Sequence, residues 1–459
     1  MTDERKARET AAPDLELFPA GTRLAAEGDL VVGGCSLREI AAEFGTPALV
    51  VDESALRARA RQFLDSFRSR HANTQIHFAS KAFPSASILR LLSEEGLSFD
   101  VASGNEFAIA LAAGVPANRM LLHGNAKTED EIRTVVENGI GHVVIDNLHD
   151  VERIAKAATS PQPVLLRVTP GIDAHTHHAI ATGHVGSKFG VSMDQAPDMI
   201  KRIQREPALR LDGLHAHIGS QIFDLDQFRA EIAALSQLPR FPVYNLGGGL
   251  ASRYTSDDPP VSIDSWAETL VDSAHRFLGE DISLMVEPGR SMVAPVAVSL
   301  YTVVTVKRGS RTHVAVDGGM GDNLEVSLYN QRFQPWLIGH EGGLERSDLV
   351  GHHCESGDVL VQDGLMPIAQ AGDLVVVPAT GAYTYTMSNN YNAAFRPPVV
   401  FCNDGSARLA VRRETLEDLL IREEGLARPL PSSERLQPAS PASGENTAGA
   451  VVSTHNPHP

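Results

Sequence analysis

Through the first two thirds of the chain, short β-rich runs alternate with longer stretches whose apolar residues recur every three or four positions. The runs fall at 76–79, 98–101, 120–123, 142–145, 164–168, 211–217, 243–246 and 283–287. Their length and their content of Val, Ile, Leu and Phe predict strands buried on both faces. The stretches between them predict helices, for example Ser85–Glu95, Asn105–Ala113, Glu129–Asn138, Leu148–Ala158 and Ser265–Leu278. Strands and helices alternating over about 220 residues fit an α/β fold of the (β/α)₈ TIM-like barrel type. An open doubly wound sheet is the alternative, but no GxGxxG follows the first strand.

The flanks read differently. Residues 1–18 are polar and charged and predict a flexible N-terminus. Residues 19–45 carry a short β run (Leu30–Val32) and an amphipathic helix ending at Gly45, expected to pack with the β domain. Ala48–Val51 reads as a strand, and Asp52 stands where it would cap a helix running to about Arg70. The barrel is expected to span 46–292. Beyond Met292, short β runs at Val293–Val306, His313–Val316, Asp358–Val361, Asp373–Val377, Pro398–Phe401 and Ala407–Val411 alternate with Gly, Pro and Asp turns. They predict a C-terminal all-β domain, barrel or sandwich, over 293–425, with a short helix at Glu414–Glu423. Residues 426–459 are rich in Pro, Ser, Ala, Gly and Asn and predict a disordered tail.

Composition narrows the function. A hydrophobic content of 42% and a charged content of 21% are ordinary for a globular protein, and a net charge of −17 disfavours nucleic acid or an anionic membrane as partner. No run approaches the roughly 18 apolar residues of a membrane span. The start, MTDERKARET, has no apolar leader core. Cys35, Cys354 and Cys402 are odd in number and far apart, which fits neither a disulfide framework nor a zinc pattern and points to a reducing cytoplasm.

In a (β/α)₈ barrel the chemistry sits at the C-terminal ends of the strands. There this chain places Lys81, Asp100, His123, Asn125, Arg167, His215, His217, the triplet Gly247-Gly248-Gly249 and Glu287-Pro-Gly-Arg290. A lysine at the mouth can form a Schiff base with a carbonyl once desolvated. A lone loop lysine is ordinarily just solvated. Glycine loops after the seventh and eighth strands commonly hold a phosphate, although a triplet of glycines alone reads first as a tight turn. Lysine and glycine loops together predict a phosphorylated carbonyl cofactor, and pyridoxal 5′-phosphate fits.

The motifs SKA (80–82), FDVASGNE (99–106), GIDAHTHHAIATG (171–183), SKFG (187–190), HAHIGSQ (215–221), NLGGGL (245–250), EPGR (287–290), VDGGMGDN (316–323), CESGD (354–358) and GAYTYTMSNNYN (381–392) occur in one order. By them the chain resembles the fold-type III pyridoxal-phosphate decarboxylases, an alanine racemase-like barrel plus β domain, and within them the diaminopimelate decarboxylase family. The resemblance covers roughly residues 20–420. It implies that Lys81 holds the cofactor covalently, that His217 stacks on the pyridine ring and that Glu287 pairs with the pyridine nitrogen. It places Ser220, Gly247, Gly248, Gly249, Gly289, Arg290 and Tyr383 about the phosphate, and Asp100, Arg167 and Tyr391 elsewhere around the cofactor. It makes Cys354 the proton donor. Arg290, Glu325, Tyr329, Glu355 and Tyr391 would meet the substrate, with Cys354 and Glu355 entering the neighbouring subunit's site in a homodimer.

The implied reaction is meso-diaminopimelate to L-lysine and carbon dioxide. Two positions depart from the family: Phe83 stands where an Asn commonly follows the lysine, and, with more consequence, Glu325 stands where an arginine usually holds the far carboxylate. Either another basic residue, with Arg332 nearest, replaces it, or the substrate is a different amino acid such as ornithine, lysine, arginine or a carrier-linked one. A non-catalytic, cofactor-binding or regulatory relative is the remaining alternative, disfavoured because a pure binder needs no proton donor. His175, His177 and His178 match no metal spacing, no EF-hand loop occurs, and no metal is expected.

Overall fold

A computed structural model describes residues 12–172, 183, 186–340 and 343–424. The motif at 171–183 and the histidines at 175, 177 and 178 lie largely outside these residues.

Eight parallel strands close into a ring: β1 Thr74–Ala79, β2 Ser98–Val101, β3 Met120–Leu122, β4 His142–Ile145, β5 Gln162–Thr169, β6 Leu209–His215, β7 Val243–Asn245 and β8 Ser283–Val286. Each pairs with its sequence neighbours, β8 pairs with β1 at Leu284↔Thr74, and β4 pairs with β5 at Val143↔Val164. Successive side chains point to opposite faces of a strand. Leu121, Val144, Leu165 and Met285 accordingly form their own small cluster, while Leu122, Val143, Ile145, Leu166, Leu284 and Val286 join the larger core shared with the helices. The ring is thus filled by side chains, not hollow.

The helices are fixed by local chemistry as well as by their apolar faces. Asp52 accepts from the Ala55 N–H and starts Glu53–Arg68. Thr128 and Glu131 bond reciprocally to start Glu129–Glu137, and Asn147 caps Leu148–Ala157. Trp266 on Ile263–Phe277 is fully buried and meets Phe63, Phe67 and Phe228 edge-on at centroid distances of 5.3–6.2 Å, joining three helices.

The second layer is a mixed sheet with strand order 359–367, 344–350, 312–316, 297–308, 48–52, 399–403, 406–411, and with 374–378 also paired to 297–308. Two expectations change here. The strand Ala48–Asp52, assigned from the sequence to the barrel segment, belongs to this sheet, antiparallel to Ala297–Arg308 and parallel to Val399–Asn403. The strand Leu344–Val350 was not expected, because LERSDLV carries four polar residues in seven and offers no apolar run. Leu30, Val32, Leu37 and Ile40 of the N-terminal segment pack with Val50, Val298, Leu300, Val376 and Val400 of the sheet. Residues 414–424 form a separate unit with one helix, Leu416–Leu420, capped by Thr415 and Asp418.

Candidate active site

The C-terminal strand ends converge on Lys81. β1 ends in a single turn, Ser80–Ala82, that sets Lys81 opening into the barrel mouth. Burial pulls its ammonium pKa down, but the neighbouring Tyr383, Asp100 and Glu287 outweigh burial and the opposing Arg167, and the net shift is upward. The wall beside it comes from the sheet layer. Tyr383 N–H donates to Ala82 O at 2.8 Å, and Tyr383 itself holds a left-handed φ of 63°. Such a backbone persists in a tyrosine only where its surroundings impose it.

The floor is built around Glu287, just past β8. Its Oε1 accepts from His123 Nε2 and from Asn245 Nδ2, each at 2.7 Å, and its Oε2 accepts from His215 Nε2 at 3.2 Å. Burial alone would raise this carboxyl's pKa; the two imidazoles, by charge and by hydrogen bond, hold it well below the usual range. Burial pushes the His215 pKa down to about 4, against Glu287. Asp100, 3.8 Å from His123, is raised to about 7 by burial, with His123 and Lys81 opposing.

His217 is oriented by the backbone: Gly248 N–H donates to its Nδ1 at 3.1 Å. Burial, then the charges of Lys81 and Arg167, holds its pKa well below the usual imidazole value, so the ring is neutral. Part of the glycine triplet is engaged within the protein. Gly247 N–H donates to Asn245 Oδ1 at 3.0 Å, and with Gly248 spent on His217 two of the three amides are used inside the protein. A Cβ on Gly247, at φ +60°, would lie 2.5 Å from Ala216 O, and one on Gly248 2.1 Å from Glu287 O. Their smallness first lets the loops after β6, β7 and β8 close on one another.

Arg290 begins the short helix after Gly289. Its Nε donates to Ser220 Oγ at 3.2 Å, and its Nη1 to Tyr254 Oη at 2.5 Å and Glu325 Oε1 at 2.8 Å, with the guanidinium 4.7 Å above the Tyr383 ring. Glu325 is 1% exposed. Burial raises its pKa and Arg290 lowers it, with burial the larger effect. Tyr329, four residues on, is pushed up by burial and then by the nearby Glu325 and Tyr383, against Arg290 and Lys81. That puts Glu325, Arg290 and Lys81 in one electrostatic neighbourhood. Arg332, the expected substitute cation, is not part of it: it is exposed and paired with Asp257 at 3.1 Å. Arg167 on β5 is buried, its guanidinium 4.5 Å from the Phe189 ring.

Cys354, Glu355 and Tyr391 form a second group on the sheet layer. Cys354 and Glu355 are exposed, Cys354 N–H donates to Asn392 Oδ1 at 2.7 Å, and Tyr391 Oη donates to Glu355 Oε2 at 3.4 Å.

The profile of the family described as pyridoxal-dependent decarboxylase, pyridoxal binding domain, matches residues 53–294. A diaminopimelate decarboxylase of Actinosynnema pretiosum subsp. auranticum is 43% identical over 429 residues, covering 90% of this chain and 97% of its own length. The chain belongs to the diaminopimelate decarboxylase family. The enzyme of that name from Bacillus subtilis (strain 168) is 40% identical over 433 residues, at 88% and 97% coverage. The crystal structure of a diaminopimelate decarboxylase from M. jannaschii in co-complex with L-lysine superposes with a TM-score of 0.83 at 28% identity, covering 88% of this chain and 98% of that one.

Pyridoxal phosphate is the cofactor of this family, and the mouth fits it. An amine stands at Lys81, an ionised carboxylate at Glu287, and a neutral imidazole face at His217. Beside Lys81, the Ser80 hydroxyl is buried without a partner. The sequence shows His123 and His215 at strand ends and Asn245 opening the glycine motif, but does not join them to Glu287. Tyr254, the second partner of Arg290, had no sequence signal beyond being an aromatic in a loop.

Proposed function

We propose that the protein is a pyridoxal-phosphate-dependent decarboxylase that converts meso-diaminopimelate to L-lysine and carbon dioxide. The observation that carries this is Glu287, a buried carboxylate kept ionised by His123, His215 and Asn245 at the end of β8. When bound, the cofactor accepts the electron pair left on the substrate's α-carbon, and a protonated ring nitrogen makes it a strong acceptor. Glu287 supplies the negative charge that keeps such a nitrogen protonated. Its imidazoles and carboxylate also offer three ligand atoms within 4.8 Å, as a metal site would. The decarboxylase family gives the carboxylate the ring nitrogen as partner instead.

Lys81 holds the cofactor's aldehyde carbon, and its neutral neighbour His217 packs on the ring face without adding charge. Arg290, Ser220, Tyr383, Gly289 and the glycine triplet lie where the phosphate end belongs, the triplet's contribution narrowed to Gly249 by the internal bonds of Gly247 and Gly248. Asp100, Arg167 and Tyr391 complete the cofactor's surroundings, and Arg290, Glu325, Tyr329, Glu355 and Tyr391 meet the substrate.

The working unit is a homodimer in which Cys354 and Glu355 reach the partner's mouth, Cys354 returning a proton to the α-carbon. Their exposure supports this. A cytoplasmic site of action fits three free cysteines, and no helix among the described residues is long and apolar enough to cross a membrane. Purified, cofactor-loaded protein should release carbon dioxide from meso-diaminopimelate and form L-lysine from it. No release, with the cofactor bound, would refute the reading.

A further inference from the structure

Inside the wall that carries Tyr383, Arg290 and Glu325 form an ion pair 2.8 Å long, with the side chains 5% and 1% exposed. Two further partners, Tyr254 and Ser220, take hydrogen bonds from the same guanidinium. Its charge is therefore already compensated by a carboxylate in contact. Glu325 spends only one oxygen: Oε2 is buried and has no hydrogen-bond partner. A buried acceptor without a donor is costly, and a ligand's N–H or O–H relieves it where one can reach. For a substrate carboxylate to take Arg290, Glu325 would have to give up its cation and stay buried, which a desolvated charge resists. A substrate ammonium meets the opposite situation: it adds a cation beside a glutamate with one oxygen to spare.

We infer that the Arg290–Glu325 pair sets the specificity of this mouth toward α-amino acids whose far end carries an ammonium without a carboxylate. The inference rests on the decarboxylase reading and adds an activity to it, the decarboxylation of lysine- and ornithine-type diamino acids. In that reaction the bond between Cα and the carboxylate breaks and carbon dioxide leaves. The electron pair stays at Cα, and one proton taken up there yields the diamine, with no oxidant or reductant consumed. Diaminopimelate carries both groups at its far end; it is admitted through the ammonium, and its far carboxylate gains little from a cation already paired.

Calorimetric titration of the holoenzyme with cadaverine, a diamine, and pimelate, a dicarboxylate, reads the preference directly. Wild-type protein should bind cadaverine at least about tenfold more tightly than pimelate. Glu325→Gln keeps the side chain's shape and removes its charge; it should cut that ratio by at least about tenfold, with lysine turnover falling relative to diaminopimelate turnover. Equal or tighter pimelate binding in the wild type overturns the inference even if the variant fails to fold. A folded variant with an unchanged ratio overturns it as well. Carbon dioxide release from diaminopimelate is scored separately. Its absence alongside a cadaverine preference sinks the proposed function alone, and its presence alongside a pimelate preference sinks this inference alone.

Discussion

The floor and the rim of the barrel mouth each bury a glutamate, and the two are built in opposite ways. Glu287 on the floor has donors on both oxygens, from His123, Asn245 and His215. Glu325 on the rim has a donor on one oxygen only. A third buried carboxyl, Glu231 on the helix Asp226–Leu235, has no partner on either oxygen. Burial taxes the charged form of all three alike. The outcome follows the donors: Glu287 is held well below the usual carboxylate range, Glu325 is raised, and Glu231 is raised well above it, by burial first and then by Glu287. The floor is a finished electrostatic device aimed at the part of the reaction that any amino acid shares. The rim is unfinished, and a rim completed by its ligand is where one amino acid is told from another.

Breaking the floor should have the largest effect. Glu287→Gln preserves volume and removes the charge, and kcat should fall by about 100-fold or more, with a smaller change in KM because the carboxylate acts on the cofactor. A loss under about tenfold would mean that the ring nitrogen has another partner. Altering the rim should act at the intermediate scale already given for Glu325→Gln, on ligand choice and not on the reaction itself.

The smallest effect tests the physical ranking through stability, not turnover. Glu231→Met removes a buried, unpartnered carboxyl and should stabilise the protein by about 1–3 kcal/mol near neutral pH. The sign of the pH dependence follows from the raised pKa. Below the ordinary glutamate value of 4.5 the carboxyl is protonated folded or unfolded and costs no linkage energy. As pH climbs from there toward the raised folded value, the unfolded chain releases the proton first and the wild type loses stability. The Met variant has no such slope at this position, so melting curves should diverge as pH rises. A constant gap, or a variant less stable at the alkaline end, contradicts the ranking.

Much of this was legible in the sequence. The eight barrel strands are largely buried and so announce themselves as β-rich runs, and Lys81, Glu287 and Arg290 fall at their ends. What escaped depends on long-range closure. Whether Ala48–Asp52 joins ring or sheet is decided by pairing with strands some 250 to 350 residues away, which no local period encodes. Three donors meet on Glu287 only because the closed ring brings the ends of β3, β6, β7 and β8 together. A run of three glycines cannot disclose whether its amides face an anion or a side chain; here two face Asn245 and His217. Glu325 was conspicuous as a residue, but its capture of Arg290, and the diversion of Arg332 to Asp257, needed coordinates.

The account turns on Lys81 as the amine that holds the cofactor. Borohydride reduction of the holoenzyme followed by digestion and mass spectrometry locates that amine. The account predicts a pyridoxyl-phosphate adduct on the peptide containing Lys81 and on no other lysine; an adduct elsewhere, or none in protein that carries the cofactor, would contradict it.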